Sequence, residues 1–175
     1  RPIIEDYIVK LSDSKKPNIV FFPTASSENE GYIINFYKAF SKLNCNAKHI
    51  SLFQNTPDLN EIVDKSDIIY IGGGNTKSML AVFKEWNLDK ILINAYKNGK
   101  TLCGVSAGAI CWFDKGITDS WEGDLRVLEC MKMIPGVCCP HYDGEEKRRP
   151  SVEKFIKSNE ITNALLGEVS IEAED

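Results

Sequence analysis

Apolar positions along the chain switch between two spacings. Ile3, Ile4, Tyr7, Ile8 and Leu11 recur at helical period, so residues 1–11 read as a helix. Asn18 to Phe22 is a compact apolar, β-branched and aromatic run, a strand, followed by the polar loop Pro23-Thr24-Ala25-Ser26-Ser27. Helical period returns from Gly31 to Leu43 through Ile33, Ile34, Tyr37, Phe40 and Leu43. Ala47 to Leu52 reads as a strand, and Asp58 to Val63 as a short helix. Asp67 to Ile71 is almost wholly apolar, as expected of a strand covered on both faces. It runs into Gly72-Gly73-Gly74-Asn75-Thr76, and the next helix turns Met79, Leu80, Phe83 and Trp86 toward a core. Asp89 then reads as the N-cap of a helix that Gly99 closes at C′. Lys100 to Phe113 reads as strand, tight turn and apolar helix.

Strands alternating with helices imply parallel β-α-β units with right-handed crossovers. The expected architecture is α/β: a flavodoxin-like, doubly wound, mostly parallel sheet in a three-layer α/β/α sandwich. A chain of this type that opens on a helix usually has a strand before it. The expectation is therefore one domain over residues 1–175, with a first strand and C-terminal residues missing. No repeat, low-complexity tract or Pro/Gly/Ser linker interrupts it.

Charge and composition narrow the function classes. A net charge of −4 argues against a general nucleic-acid-binding surface. No apolar run reaches the roughly 18 residues of a membrane span. Six cysteines, mostly in apolar runs and without a C-x-x-C pair, read as reduced buried thiols, which suggests a cytoplasmic protein. The charge run Glu145-Glu146-Lys147-Arg148-Arg149 is mixed in sign and reads as a solvated helix start.

The turn Gly104-Val105-Ser106-Ala107-Gly108 is a G-x-S-x-G nucleophile elbow with a strand before it and a helix after it. A residue at the tip of such a turn is strained and needs small neighbours. Ser106 is then a candidate nucleophile, with the Ala107 N–H a candidate oxyanion donor. A hydroxyl needs a base, and the chain has only two histidines. His49 lies inside a strand and reads as structural or surface; His141, after Pro140, is the candidate base. An orienting carboxylate could come from Asp119, just past the elbow helix, or from Glu168, near the last strand. Asp143 is too close to His141 in sequence for an easy approach. The second oxyanion donor is expected from the Gly72–Asn75 loop, whose spacing does not match a phosphate-binding loop. Cys103 and Cys111 do not occupy the elbow tip, which disfavours a thiol enzyme. A non-catalytic binding module is the rival of a different class.

Phe22-Pro23-Thr24-Ala25-Ser26, Gly73-Gly74-Asn75-Thr76, Gly104-Val105-Ser106-Ala107-Gly108-Ala109 and Pro140-His141-Tyr142-Asp143-Gly144 together resemble the peptidase E (aspartyl dipeptidase) and cyanophycinase family of serine peptidases. The likeness runs in order through nearly the whole chain. It implies a fold similar to class I glutamine amidotransferases, with serine where those enzymes place cysteine. It also implies metal-free, cofactor-free hydrolysis of a peptide bond after an N-terminal aspartate, the partner being a small acidic peptide. Carried over, Ser106 would be nucleophile and His141 base. Gly74, beside Gly73, and Ala107 would offer oxyanion N–H groups, and Asn75 would line the pocket. Asp119 and Glu168 both remain open for the acid, Glu168 slightly ahead. An acidic substrate side chain needs a cation, for which Arg148 and Arg149 follow the histidine closely. A cyanophycinase-like or isoaspartyl activity would share this core, and a homodimer is compatible with all of it.

Overall fold

The computed structural model describes residues 3–158 and the strand Ala164–Leu166. Its elements run α1 (Ile3–Lys10), β1 (Asn18–Phe22), a 3-10 turn at Thr24–Ser26, α2 (Glu30–Phe40), β2 (Asn46–His49), α3 (Leu59–Asp64), β3 (Ile68–Ile71), α4 (Thr76–Glu85) and α5 (Leu88–Lys97). They continue with β4 (Thr101–Gly104), α6 (Ala107–Ile110), β5 (Phe113–Thr118), β6 (Arg126–Glu129), β7 (Ile134–Cys139), α7 (Arg148–Lys157) and β8 (Ala164–Leu166).

β1 to β4 form a parallel sheet in the order β2-β1-β3-β4. Period-two alternation sorts its side chains. Val20 and Phe22 of β1 and Ile69 and Ile71 of β3 share a core with Leu59, Val63, Met79, Phe83, Leu88 and Leu92 of α3, α4 and α5. Ile19 and Phe21, with Ile68, face the other way onto Ile8 of α1 and Phe36 and Phe40 of α2. Helices therefore cover both faces, giving the three-layer α/β sandwich that the alternation predicts. The pairings Phe22↔Ile71 and Ile71↔Gly104 bring the ends of β1, β3 and β4 level. The loops after them gather at one sheet edge, where ligands bind in folds of this type.

The chain differs from the pattern's expectations in several places. Its described strands lie in two four-stranded hydrogen-bonded sheets, the second ordered β6-β5-β7-β8. That sheet is parallel except for β6, which pairs antiparallel with β5. The helix after the elbow is a single turn, because Phe113 to Thr118 pairs with β6 and β7 instead of continuing it. The loop after β1 forms a 3-10 turn with Thr24 and Ala25 buried. β2 ends at His49, not at residue 52. Asp89 is not an N-cap: Asn87, in left-handed backbone, precedes α5, and Asp89 lies in its first turn. Trp86 ends α4 exposed rather than in the core. No described helix is long and apolar enough to cross a membrane.

All six cysteines are free. Burial pushes the Cys130 and Cys138 thiols up to about 12 and Cys139 to about 11, and raises Cys103 and Cys111 as well. A thiol whose pKa is higher folded than unfolded stabilises the fold fully below its unfolded value, about 8.5. That stability is lost as pH rises from there toward 11–12. The urea midpoint is expected to be lower at pH 10 than at pH 7.5. A midpoint that held or rose would contradict this account of the buried thiols.

Candidate active site

Ser106 is the residue before α6, with φ 52° and ψ −110°. Non-glycine residues rarely adopt such backbone, at a cost of about 1–3 kcal/mol. The surrounding small residues explain how it is held. A Cβ on Gly108 would run into the Ile71 carbonyl, and one on Gly104 into the Gly108 backbone. A Cβ on Gly73 would come within 3.2 Å of Ser106 Cβ. The elbow is thus wedged between β3 and its own first turn, with the serine at its tip.

His141 stands two residues past the end of β7's burial run, after Pro140, in left-handed backbone at φ 55°. The Gly144 and Glu145 N–H groups donate to its carbonyl at 3.1 and 3.0 Å, closing a turn around it. Its Nε2 lies 2.9 Å from Ser106 Oγ. With the ring proton on Nδ1, the hydroxyl donates to Nε2, the geometry a general base needs. Thirty-five positions apart, the two residues meet because β4 and β7 both deliver their C-terminal ends to this edge.

A cavity of roughly 330 Å³ opens beside the pair, and Gly74, Asn75, Asp119 and Ser120 line its other side. Gly74 has φ +137°, and a Cβ there would strike the Ala25 carbonyl. On this loop the Gly73 N–H donates to Tyr32 Oη at 3.0 Å and the Asn75 N–H to Ala25 O at 2.8 Å. Asn75 Oδ1 caps α4 by accepting from Ser78 N, and its Nδ2 donates to Ser120 O at 3.0 Å. Its side chain is therefore committed to holding two loops together at the cavity wall.

Glu145 and Arg148 complete the lining. Arg148, read from sequence as part of a solvated run, is 2% exposed. Its Nε donates to Glu145 Oε2 at 2.8 Å and its Nη1 to Ile117 O at 3.0 Å, while Nη2 lies 3.5 Å from Asp119 Oδ2. Asp119 is thus at the cavity but directed to Arg148, and no hydrogen bond joins it to His141 among the described residues. Arg149 lies over the Tyr142 ring and pairs with Asp143, exposed and away from the cavity lining. His49 is engaged by the Tyr37 hydroxyl, 2.8 Å from Nδ1. Glu168 lies outside the described residues. Sequence reading missed Glu145, Ser120 and Tyr32; only Glu145 had a signal, its place one turn beyond His141.

A hydrogen-bonded serine–histidine pair on a strained elbow, at the strand ends of an α/β sandwich, places the chain among hydrolytic enzymes. More narrowly, it belongs to peptidase family S51, whose profile matches residues 2–168. It is 47% identical over 156 residues to the uncharacterized peptidase YgaJ of Bacillus subtilis, covering 89% of this chain and 67% of that protein. It is 31% identical to the uncharacterized peptidase Lin0382 of Listeria innocua, covering 87% and 80%. Peptidase E of Shewanella sp. (strain ANA-3) is 27% identical, and the match covers 82% of this chain and 64% of that protein. Among solved structures, a peptidase from an acI-B1 Actinobacterium superposes with a TM-score of 0.68 at 20% identity, over 86% of this chain and 68% of its own. That likeness carries the fold.

Proposed function

We propose that this peptidase is a serine-type enzyme that hydrolyses small peptides with N-terminal aspartate through an acyl-enzyme. The observation that carries the reading is the 2.9 Å contact between His141 Nε2 and Ser106 Oγ at the elbow tip. Ser106 Oγ attacks the scissile carbonyl carbon as His141 takes its proton. The negative charge that forms on the carbonyl oxygen is met by the Ala107 and Gly74 N–H groups. His141 then gives the proton to the leaving amine, the C–N bond breaks, and water hydrolyses the resulting ester by the same route in reverse. Strained backbone at both Ser106 and His141 supports the assignment, since such strain concentrates at functional sites. The raised thiols of Cys103 and Cys111 speak against a cysteine nucleophile. Glu168, in the segment the family profile still matches, is the acid proposed to orient His141, with Asp119 the alternative.

Aspartate preference rests on the family resemblance, and a substrate panel tests it. Asp-Xaa dipeptides are expected to turn over at least about tenfold faster, in kcat/KM, than matched Glu-Xaa, Asn-Xaa and Leu-Xaa peptides. Equal rates across the panel would remove the aspartate claim. Turnover of β-aspartyl peptides alone would favour a cyanophycinase-like or isoaspartyl activity.

A further inference from the structure

Arg148 is the only buried charged side chain among the described residues. A guanidinium is costly to bury unless it is paired and hydrogen-bonded, so its partners show what it is for. They come from two segments. Ile117 O and Asp119 belong to the end of β5 and the loop after it. Glu145 belongs to the turn that carries His141, closed by the Glu145 N–H donating to His141 O. The Arg148 N–H also donates to Glu145 O at 3.0 Å.

Pro140 explains why an arginine is wanted there. β5 and β7 pair in parallel through Lys115↔Val137 and Gly116↔Cys138. Two residues past Cys138 the chain offers proline, which has no N–H to extend a ladder. β5 nevertheless runs on to Thr118, and its Ile117 carbonyl takes its hydrogen bond from Arg148 Nη1. The guanidinium replaces a missing ladder amide and, with its other edge, grips the histidine turn.

We propose that Arg148 is a positioning residue: it bolts the His141 turn to β5 and so sets the Nε2–Oγ contact, instead of reading a substrate carboxylate. The proposal rests on the Ser106–His141 reading above. Lysine keeps the charge but loses the planar fork, so Arg148→Lys separates the two roles. The two readouts are the rate constant for labelling of Ser106 by a fluorophosphonate, per folded molecule, and kcat and KM on an Asp-Xaa dipeptide. Arg148→Lys is expected to lower both the labelling rate and kcat by about 10–100-fold, a loss of the size that misplacing a catalytic group produces, with KM within about threefold. Glu145→Gln, which removes the charge-assisted grip on the same turn, is expected to move both rates the same way by about 3–10-fold. It serves as the test if Arg148→Lys does not fold. An unchanged labelling rate and kcat with KM raised tenfold or more would overturn the proposal in favour of substrate recognition. Unchanged rates and KM in a folded variant would overturn it outright. A wild-type chain that labels at Ser106 yet cleaves no peptide would defeat the peptidase reading, while the labelling rates would still decide the role of Arg148.

Discussion

Replacing Ser106 with alanine is expected to lower peptide turnover by about 10⁴-fold or more. The hydroxyl is the atom that would form the acyl bond, and no other nucleophile stands at the elbow tip. His141→Gln should fall to a similar floor, because the two act as one unit and their losses do not add. Ser106→Gly separates the chemistry from the backbone. Both variants lack the hydroxyl, but glycine accepts φ 52° and ψ −110° without strain, whereas alanine does not. After allowing for the greater freedom of glycine in the unfolded chain, Ser106→Gly is expected to be more stable than Ser106→Ala by about 1 kcal/mol. Urea unfolding of both variants, beside a dipeptide assay, checks both halves. Measurable residual turnover in Ser106→Ala above about 1% would mean that another group attacks.

The second large effect is structural. Gly108→Ala is expected to destabilise the chain by about 3 kcal/mol or more, at the upper end of overpacking costs. The added Cβ would meet the Ile71 carbonyl oxygen and carbon and come within 2.9 Å of Ile71 Cβ. None of these is the far end of a flexible side chain, so relief requires β3 or α6 to move. Gly99→Ala is the control. Gly99 also carries special geometry, φ +77°, but nothing lies within 4 Å of its added Cβ. Its expected cost is about 1 kcal/mol, from the left-handed backbone alone. Thermal or urea unfolding of the two variants under one condition makes the comparison. Equal losses would mean that the elbow is looser than its contacts show.

The parts that sequence made legible are those governed by local rules. β1 and β3 are short apolar runs ended by Pro23 and Gly72, and their boundaries follow within a residue. The short helix expected from Asp58 begins one residue later, with the Asp58 carboxylate accepting from the Asn60 and Glu61 N–H groups. Ser106 and His141 stood out because a motif fixed one and scarcity of histidine fixed the other. Where tertiary context decides, local rules failed. Ala109-Ile110-Cys111-Trp112 reads as helix, yet its continuation into Phe113 pairs with two strands that lie later in the chain. Arg148 sits in a run of five charges, and nothing local says that one of them is buried beneath the histidine turn. Asp119 is close to the elbow in sequence, but its carboxylate goes to a cation supplied by α7. Cap choice failed at Asp89 for a subtler reason: Asn87 tolerates left-handed backbone and turns the chain two residues earlier.

The elbow also bears on how such a protein would change over generations. Its flanks at Gly104 and Gly108 are held by the Ile71 carbonyl and by each other, whereas its tip faces the cavity. A mutation at either flank is judged first by folding; a mutation at the tip, where alanine and glycine are expected to differ in stability by only about 1 kcal/mol, is judged mainly by chemistry. Shape and activity are therefore inherited under separate constraints. A lineage of this fold could discard its nucleophile, or exchange it for another of similar size, and still pass on an intact scaffold with an open cavity.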